Sequence, residues 1–144
     1  MNMKKLKALA LVLVAALFLG ACNQTTQQRV LDSEESQVEL RNMQTRAFDT
    51  TDRDKTLRTV IATLQDLDFV LDKADNVLGI VTGTKLSGFS VIKMTVSVRP
   101  RGEEQLLVRA NAQYNITPIN DPVPYQQFFA ALGKAMFLEA HSVN

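Results

Sequence analysis

The side chains that do chemistry are few in this chain. It has one cysteine, Cys22, and one histidine, His141, three residues from the end. One cysteine closes no internal disulfide, and one cysteine with one histidine falls short of a four-ligand zinc set. A Ser-His-Asp arrangement would have to use His141, and no GxSxG-like elbow is present to hold its serine. His141 is instead expected in the last turn of a helix, where a cation suits the dipole. The carboxylate pairs Asp52/Asp54, Asp66/Asp68 and Glu103/Glu104 are expected at a helix start, a helix end and a hairpin tip. Capping, solvation and turn formation account for them without general acid–base work. Lys85 stands between glycines in GTKLSG, without the spacing or the following Ser or Thr of a phosphate-binding loop, so the stretch is expected to be a plain loop. These residues point to a non-enzymatic protein with no cofactor and no metal.

Cys22 is different because of its surroundings. Met1 to Lys7 carries three lysines and no acid, Ala8 to Leu19 is twelve residues without a charge, and Gly20 and Ala21 are small. This is the layout of a secretory signal. The apolar run is too short for a comfortable span, which takes about 20 residues. It also lacks the polar stripe of a core helix. Leu19-Gly20-Ala21-Cys22 resembles a bacterial lipobox. Small residues admit the backbone to a peptidase groove, and the thiol is nucleophilic enough to take a diacylglyceryl thioether. By that resemblance, cleavage makes Cys22 the mature N-terminus, and its freed amine is open to acylation. Each buried methylene contributes about 0.8 kcal/mol, so two or three chains hold a domain at a membrane almost permanently. Asn23 is not the aspartate that usually marks inner-membrane retention in proteobacterial lipoproteins. The expected location is the periplasmic leaflet of the outer membrane.

Loss of Lys4, Lys5 and Lys7 lowers the formal charge from +1 by three, to −2. A chain so close to neutral gives no reason to expect a nucleic-acid partner. The expected organisation is a signal at 1–21, a lipidated cysteine and flexible tether at 22–37, and one periplasmic domain at 38–144. NQTTQQR, Asn23 to Arg29, has no apolar residue and reads as tether. VLDSEESQVELRNM then forms either a short helix capped by Ser33 or the lead-in to a strand.

Within the domain, Met43 to Phe48 alternates as a first strand. Thr51 to Asp54 has the form of a capping box, with Asp54 in place of the usual Glu or Gln. Leu57, Val60, Ile61, Leu64 and Leu67 then trace one face of a helix. That helix should end near Asp68 in a left-handed conformation. Strands follow at FVLDKA from Phe69 and at LGIVTGTK from Leu78, with Gly79 and Gly83 on one face of the second. Val91 to Arg99 alternates most clearly, turns at Pro100 to Glu103, and pairs with a strand running from Leu106 to Asn115. Asp121 is the expected N-cap and Pro122 the first residue of a last helix, whose stripe is Tyr125, Phe128, Phe129, Leu132 and Met136. The predicted fold is α+β and two-layered: an antiparallel sheet of about five strands with both helices on one face, in the order β-α-β-β-β-β-α.

One face of the main hairpin is apolar and the other polar. Lys93, Arg99, Arg109, Asn111 and Gln113 should share the polar side. That side is either a solvated outer face or a docking surface for another envelope protein or a polysaccharide. An exposed edge strand can also accept a partner strand. A second reading is a small apolar-ligand or lipid-binding module, with the aromatic stripe and the two glycines bordering a groove between helix and sheet.

MQTRAFDTTDRDKTLRTVIATLQDLDFVLDKADNVLGIVTGTK and VPYQQFFAALGKAMFLEAHSV resemble a family of small, uncharacterised proteobacterial lipoproteins. The likeness covers roughly residues 43 to 143, with Asp68 where the family often has glycine. As a likeness to outer-membrane lipoproteins it agrees with the expected anchor, and it carries over no activity and no catalytic residues. In layout the domain is also similar to lipoprotein accessory subunits of outer-membrane assembly machines. The expected role is an accessory or scaffold subunit of an envelope complex.

Overall fold

The computed structural model describes residues 36–141, with side chains to residue 137. The expectations for the signal, for Leu19, Gly20, Ala21 and Cys22, and for the Ser33 cap lie outside the described residues. From residue 40 onward the described residues form one compact unit. Residues 36–43 are helical (α1), the first of the two alternatives for the lead-in. Then come β1 (Thr45–Phe48), α2 (Arg53–Asp66), β2 (Val70–Asp75), β3 (Ile80–Ser87), β4 (Ser90–Arg101), β5 (Gln105–Tyr114), β6 (Thr117–Pro118) and α3 (Val123–His141).

The fold is α+β with an antiparallel sheet in the order β1-β5-β4-β3-β2, and β6 also pairs with β5. The alternation in β4 and β5 sets its two faces. Met94, Val96 and Val98 meet Ala112, Ala110 and Val108 across the ladder. All are buried beneath Leu57, Val60 and Leu64 of α2 and Tyr125, Phe128, Phe129 and Leu132 of α3. Ile61, Leu67 and Met136 complete the two helical stripes at partial burial. Thr56, Thr59 and Thr63 are buried too, which the apolar periodicity of α2 does not show. Their hydroxyls donate to the carbonyls of Asp52, Lys55 and Thr59, so none enters the core unsatisfied. Among the described residues no helix is long and apolar enough to cross a membrane.

Several local details differ from expectation. The α2 cap is Asp52, which accepts from the Lys55 N–H at 2.9 Å, and not Thr51. The Pro122 carbonyl accepts the first bond of α3, from Gln126, so Pro122 stands one place earlier than predicted. Asp121 still contributes, accepting from Val123 N–H at 2.9 Å. Asp68 does take the left-handed conformation, with φ 66°. The β4–β5 ladder runs on through Pro100 and Arg101, which shortens the hairpin loop to 102–104. GTKLSG is not a loop: Gly83 to Ser87 lies in β3 and only Gly88 turns the chain.

The short strands share one edge of β5. β1 covers it from Leu106 to Arg109, and β6 covers it at Gln113 and Tyr114. Pro118 is tolerated in β6 because an edge strand can spare an N–H. On the opposite edge, β2 has a register shift between Leu71 and Lys73, a bulge that interrupts its pairing.

Candidate interaction surface

α2 and α3 cover one face of the sheet, so the other face carries the exposed polar residues of β3, β4 and β5. The register sets Lys93 opposite Gln113, Thr95 opposite Asn111, Ser97 opposite Arg109 and Arg99 opposite Leu107. The predicted set therefore shares one face, in unequal company. Lys93, Asn111 and Gln113 surround a shallow depression of about 240 Å³ together with Gln44, Thr95 and Pro118. Arg109 is one rung away, and its Nη2 donates to Gln44 Oε1 at 3.5 Å. Arg99 lies further along β4, toward the β4–β5 loop. Lys93, Arg99, Arg109 and Asn111 are exposed, and Gln113 is half-buried.

Small hydroxyl residues extend this face across β3. Thr82 and Thr95 face each other at 3.3 Å between hydroxyls, and the Thr84 hydroxyl donates to Asp72 at 2.6 Å. Among the described residues the one ion pair is Lys73–Asp75 at 3.6 Å, on β2. The cations of β4 and β5 thus sit on this face without a carboxylate partner. The Asp75 carboxyl is held below the usual aspartate range, chiefly by the backbone N–H of Leu78, with Lys73 adding to the effect.

Gln44 is the member that residue types do not reveal. It is 7 % exposed and reaches the core side as well, where Nε2 donates to the Tyr125 hydroxyl at 3.2 Å. It sits where the β1 ladder ends, and no periodicity marks a side chain that passes between strand ends.

Along the aromatic stripe and the two glycines the expected space between helix and sheet is filled, and a groove opens only at the margin of the two layers. Tyr125, Phe128 and Leu132 are fully buried against the sheet. Gly83 lies on the core face of β3 with Phe69 over it, and a Cβ there would come within 3.2 Å of Phe69 Cβ. Gly79 is not in the strand: it precedes Ile80 with φ 68°, and the Arg53 guanidinium fills the space above it. This marginal groove, of about 260 Å³, lies between the end of α2, the start of α3 and the core side of the sheet, lined by Phe69, Lys85, Ile92, Met94, Tyr114 and Val123 among others. Lys85 is held there by the Leu67 carbonyl at 3.2 Å and lies 4.7 Å from the centre of the Phe69 ring. A cation against the last carbonyls of α2 suits the helix dipole.

The acidic pairs are dispersed. Asp52 caps α2, Asp68 ends it, and Glu103 and Glu104 lie at the β4–β5 loop. Among the described residues no three His, Cys, Asp or Glu side chains are grouped to hold a metal. The chain matches no family model and no curated protein.

Proposed function

We propose that this protein is a lipid-anchored envelope lipoprotein that works without catalysis, as an accessory or scaffold subunit. The observation that carries the reading is the one-sided cover of the sheet. α2 and α3 bury one face, while the other presents Lys93, Arg99 and Arg109 beside hydroxyl and amide groups, with the Asp72 carboxylate at the β2 margin taken by the Thr84 hydroxyl. Such a surface complements an acidic, hydrogen-bonding patch on another envelope protein. The lipobox Leu19-Gly20-Ala21-Cys22 supports attachment through Cys22. Asn23 and the likeness to small proteobacterial lipoproteins support the periplasmic leaflet of the outer membrane.

Two experiments test this reading. Mass spectrometry of the purified N-terminus should find Cys22 first in the chain and acylated; an unmodified Cys22 removes the anchor. A photo-crosslinking residue at Asn111, beside Lys93 and Gln113 on the open face, should capture one stoichiometric envelope protein in cells. Crosslinks spread thinly over abundant proteins remove the docking role.

A further inference from the structure

A different part of the molecule carries a second contact. Of the ten large apolar side chains exposed among the described residues, five sit at one end of the sheet: Leu86, Phe89, Tyr114, Ile116 and Val123. Two connections bring them together. The β3–β4 hairpin turns at Ser87 and Ser90, and the β5–β6 turn lies beside it, tied by Asn115 N–H to the Val91 carbonyl at 2.8 Å and by Val91 N–H to Asn115 Oδ1 at 3.3 Å. Tyr114 and Val123 line the marginal groove behind these tips.

Exposure and charge say what kind of contact this is. Phe89 is 110 % exposed, Ile116 90 % and Leu86 80 %, so they project from the tips instead of lying along a face. A specific protein interface needs about 800 Å² of fitted surface per partner, which isolated projections do not offer. A fluid apolar phase needs no fitted shape. Leu86 to Val91 and Tyr114 to Asn120 contain no charged residue in a chain that is 22 % charged. Lys93 lies two residues behind Val91 on the same face, about 7 Å back, without an acid partner among the described residues. The carboxylate nearest in sequence, Asp121, is engaged by Val123 N–H. Apolar tips with a cation set back behind them match the layering of a phospholipid interface, acyl chains first and phosphates above.

We propose that this end of the domain contacts the bilayer, with Phe89, Ile116 and Leu86 entering the apolar zone and Lys93 at the level of the phosphates. The contact extends the reading of an anchored protein: the acyl chains hold the domain at the bilayer, and the tips orient it. The open polar face then stands roughly upright from the membrane, available to a partner.

The chain has no tryptophan, so a single introduced one reports alone. The full-length protein carrying Phe89→Trp is reconstituted into vesicles of phosphatidylethanolamine and phosphatidylglycerol with brominated acyl chains. Its control is Val77→Trp, 87 % exposed in the turn at the far end of β3. The tryptophan at 89 should lose most of its emission relative to unbrominated vesicles and shift to shorter wavelength, and the one at 77 should do neither. Equal emission at 89 in both vesicle types overturns the proposal. Exposure in pure lipid with shielding in native envelope membranes also overturns it, and assigns the tips to a protein. Acylation of Cys22 is read separately by mass spectrometry on the same preparation, so loss of the anchor and loss of the tip contact are distinct results.

Discussion

Gln44 and Tyr125, 81 residues apart, meet inside the domain, where Gln44 Nε2 donates to the Tyr125 hydroxyl at 3.2 Å. The same hydroxyl accepts from Ala112 N–H at 3.3 Å and donates to the Ile119 carbonyl at 2.7 Å. Between β1 and β6 the edge of β5 has no strand partner, and Tyr125 fills that gap from above. One side chain of α3 thereby joins the two short strands, the long strand and the start of the polar face.

Tyr125→Phe keeps the ring and removes three hydrogen bonds at once. It leaves a buried N–H, a buried carbonyl and the Gln44 amide without their partner. Each unsatisfied buried group costs about 1–3 kcal/mol, partly relieved where water enters, so a loss of about 3 kcal/mol is expected. In urea the midpoint should fall with an unchanged slope. Gln44→Leu should cost less, because the hydroxyl keeps its bonds to Ala112 and Ile119. A Tyr125→Phe variant as stable as the parent would show that the hydroxyl does not join these strands.

Gly79 and Gly88 separate backbone conformation from space. Both have positive φ, 68° and 61°. A Cβ on Gly88 meets nothing within 4 Å, so Gly88→Ala should cost only the left-handed penalty of about 1–2 kcal/mol. On Gly79 the same atom would sit 2.6 Å from the Val98 carbonyl oxygen and clash with the Arg53 guanidinium. Arg53 Nη2 also donates to the Val77 carbonyl at 2.9 Å, so displacing it loosens the β2–β3 turn. Gly79→Ala should therefore exceed Gly88→Ala by at least about 1 kcal/mol in thermal or chemical unfolding.

The α2 cap shows how far the residues themselves could be read. Asp52→Ala should cost about 1 kcal/mol and Thr51→Ala close to nothing, by urea unfolding of each. Thr51 and Asp52 are both good caps, and only the Asp52–Lys55 bond decides between them. The same limit recurs elsewhere. Alternation in β4 and β5 and the stripes of α2 and α3 were legible, because each repeats a period over ten or more residues. β6 was not: two residues, one of them proline, show no period, and its pairing with Gln113 and Tyr114 is tertiary. The buried threonines of α2 escaped because their hydroxyls are satisfied within the helix. On the polar face, Lys93, Asn111 and Gln113 could be grouped from strand parity, while Gln44 was invisible because it enters between strand ends.

Asp75 gives a pH prediction of definite sign. Its folded pKa lies below the ordinary aspartate value, first through the Leu78 N–H and then through Lys73. A depressed carboxyl adds stability above its unfolded pKa and loses it as pH falls through the folded value. The turn should therefore be firmest at neutral pH and weaken in acid below the ordinary aspartate range. NMR titration should place the Asp75 midpoint below that of a free aspartate side chain. In Asp75→Asn the acid dependence of the Leu78 amide resonance should disappear.

Charge reversal on the open face separates docking from stability. Lys93→Glu and Arg99→Glu together alter two exposed cations with no carboxylate partner among the described residues, so unfolding should move by no more than about 0.5 kcal/mol. Arg109→Glu differs, because Arg109 touches Gln44, whose other end holds Tyr125. It should cost more, through the same junction that Tyr125→Phe breaks. If the face docks an acidic partner, the double reversal should abolish the crosslink from Asn111 in a fully folded protein. The size of that loss should shrink as salt is raised, since the parent contact itself weakens when exposed charges are screened over about 10 Å at 0.1 M salt. A crosslink that survives the double reversal unchanged means that the partner reads the hydroxyl and amide groups of β3 to β5 and not the charge of Lys93 and Arg99.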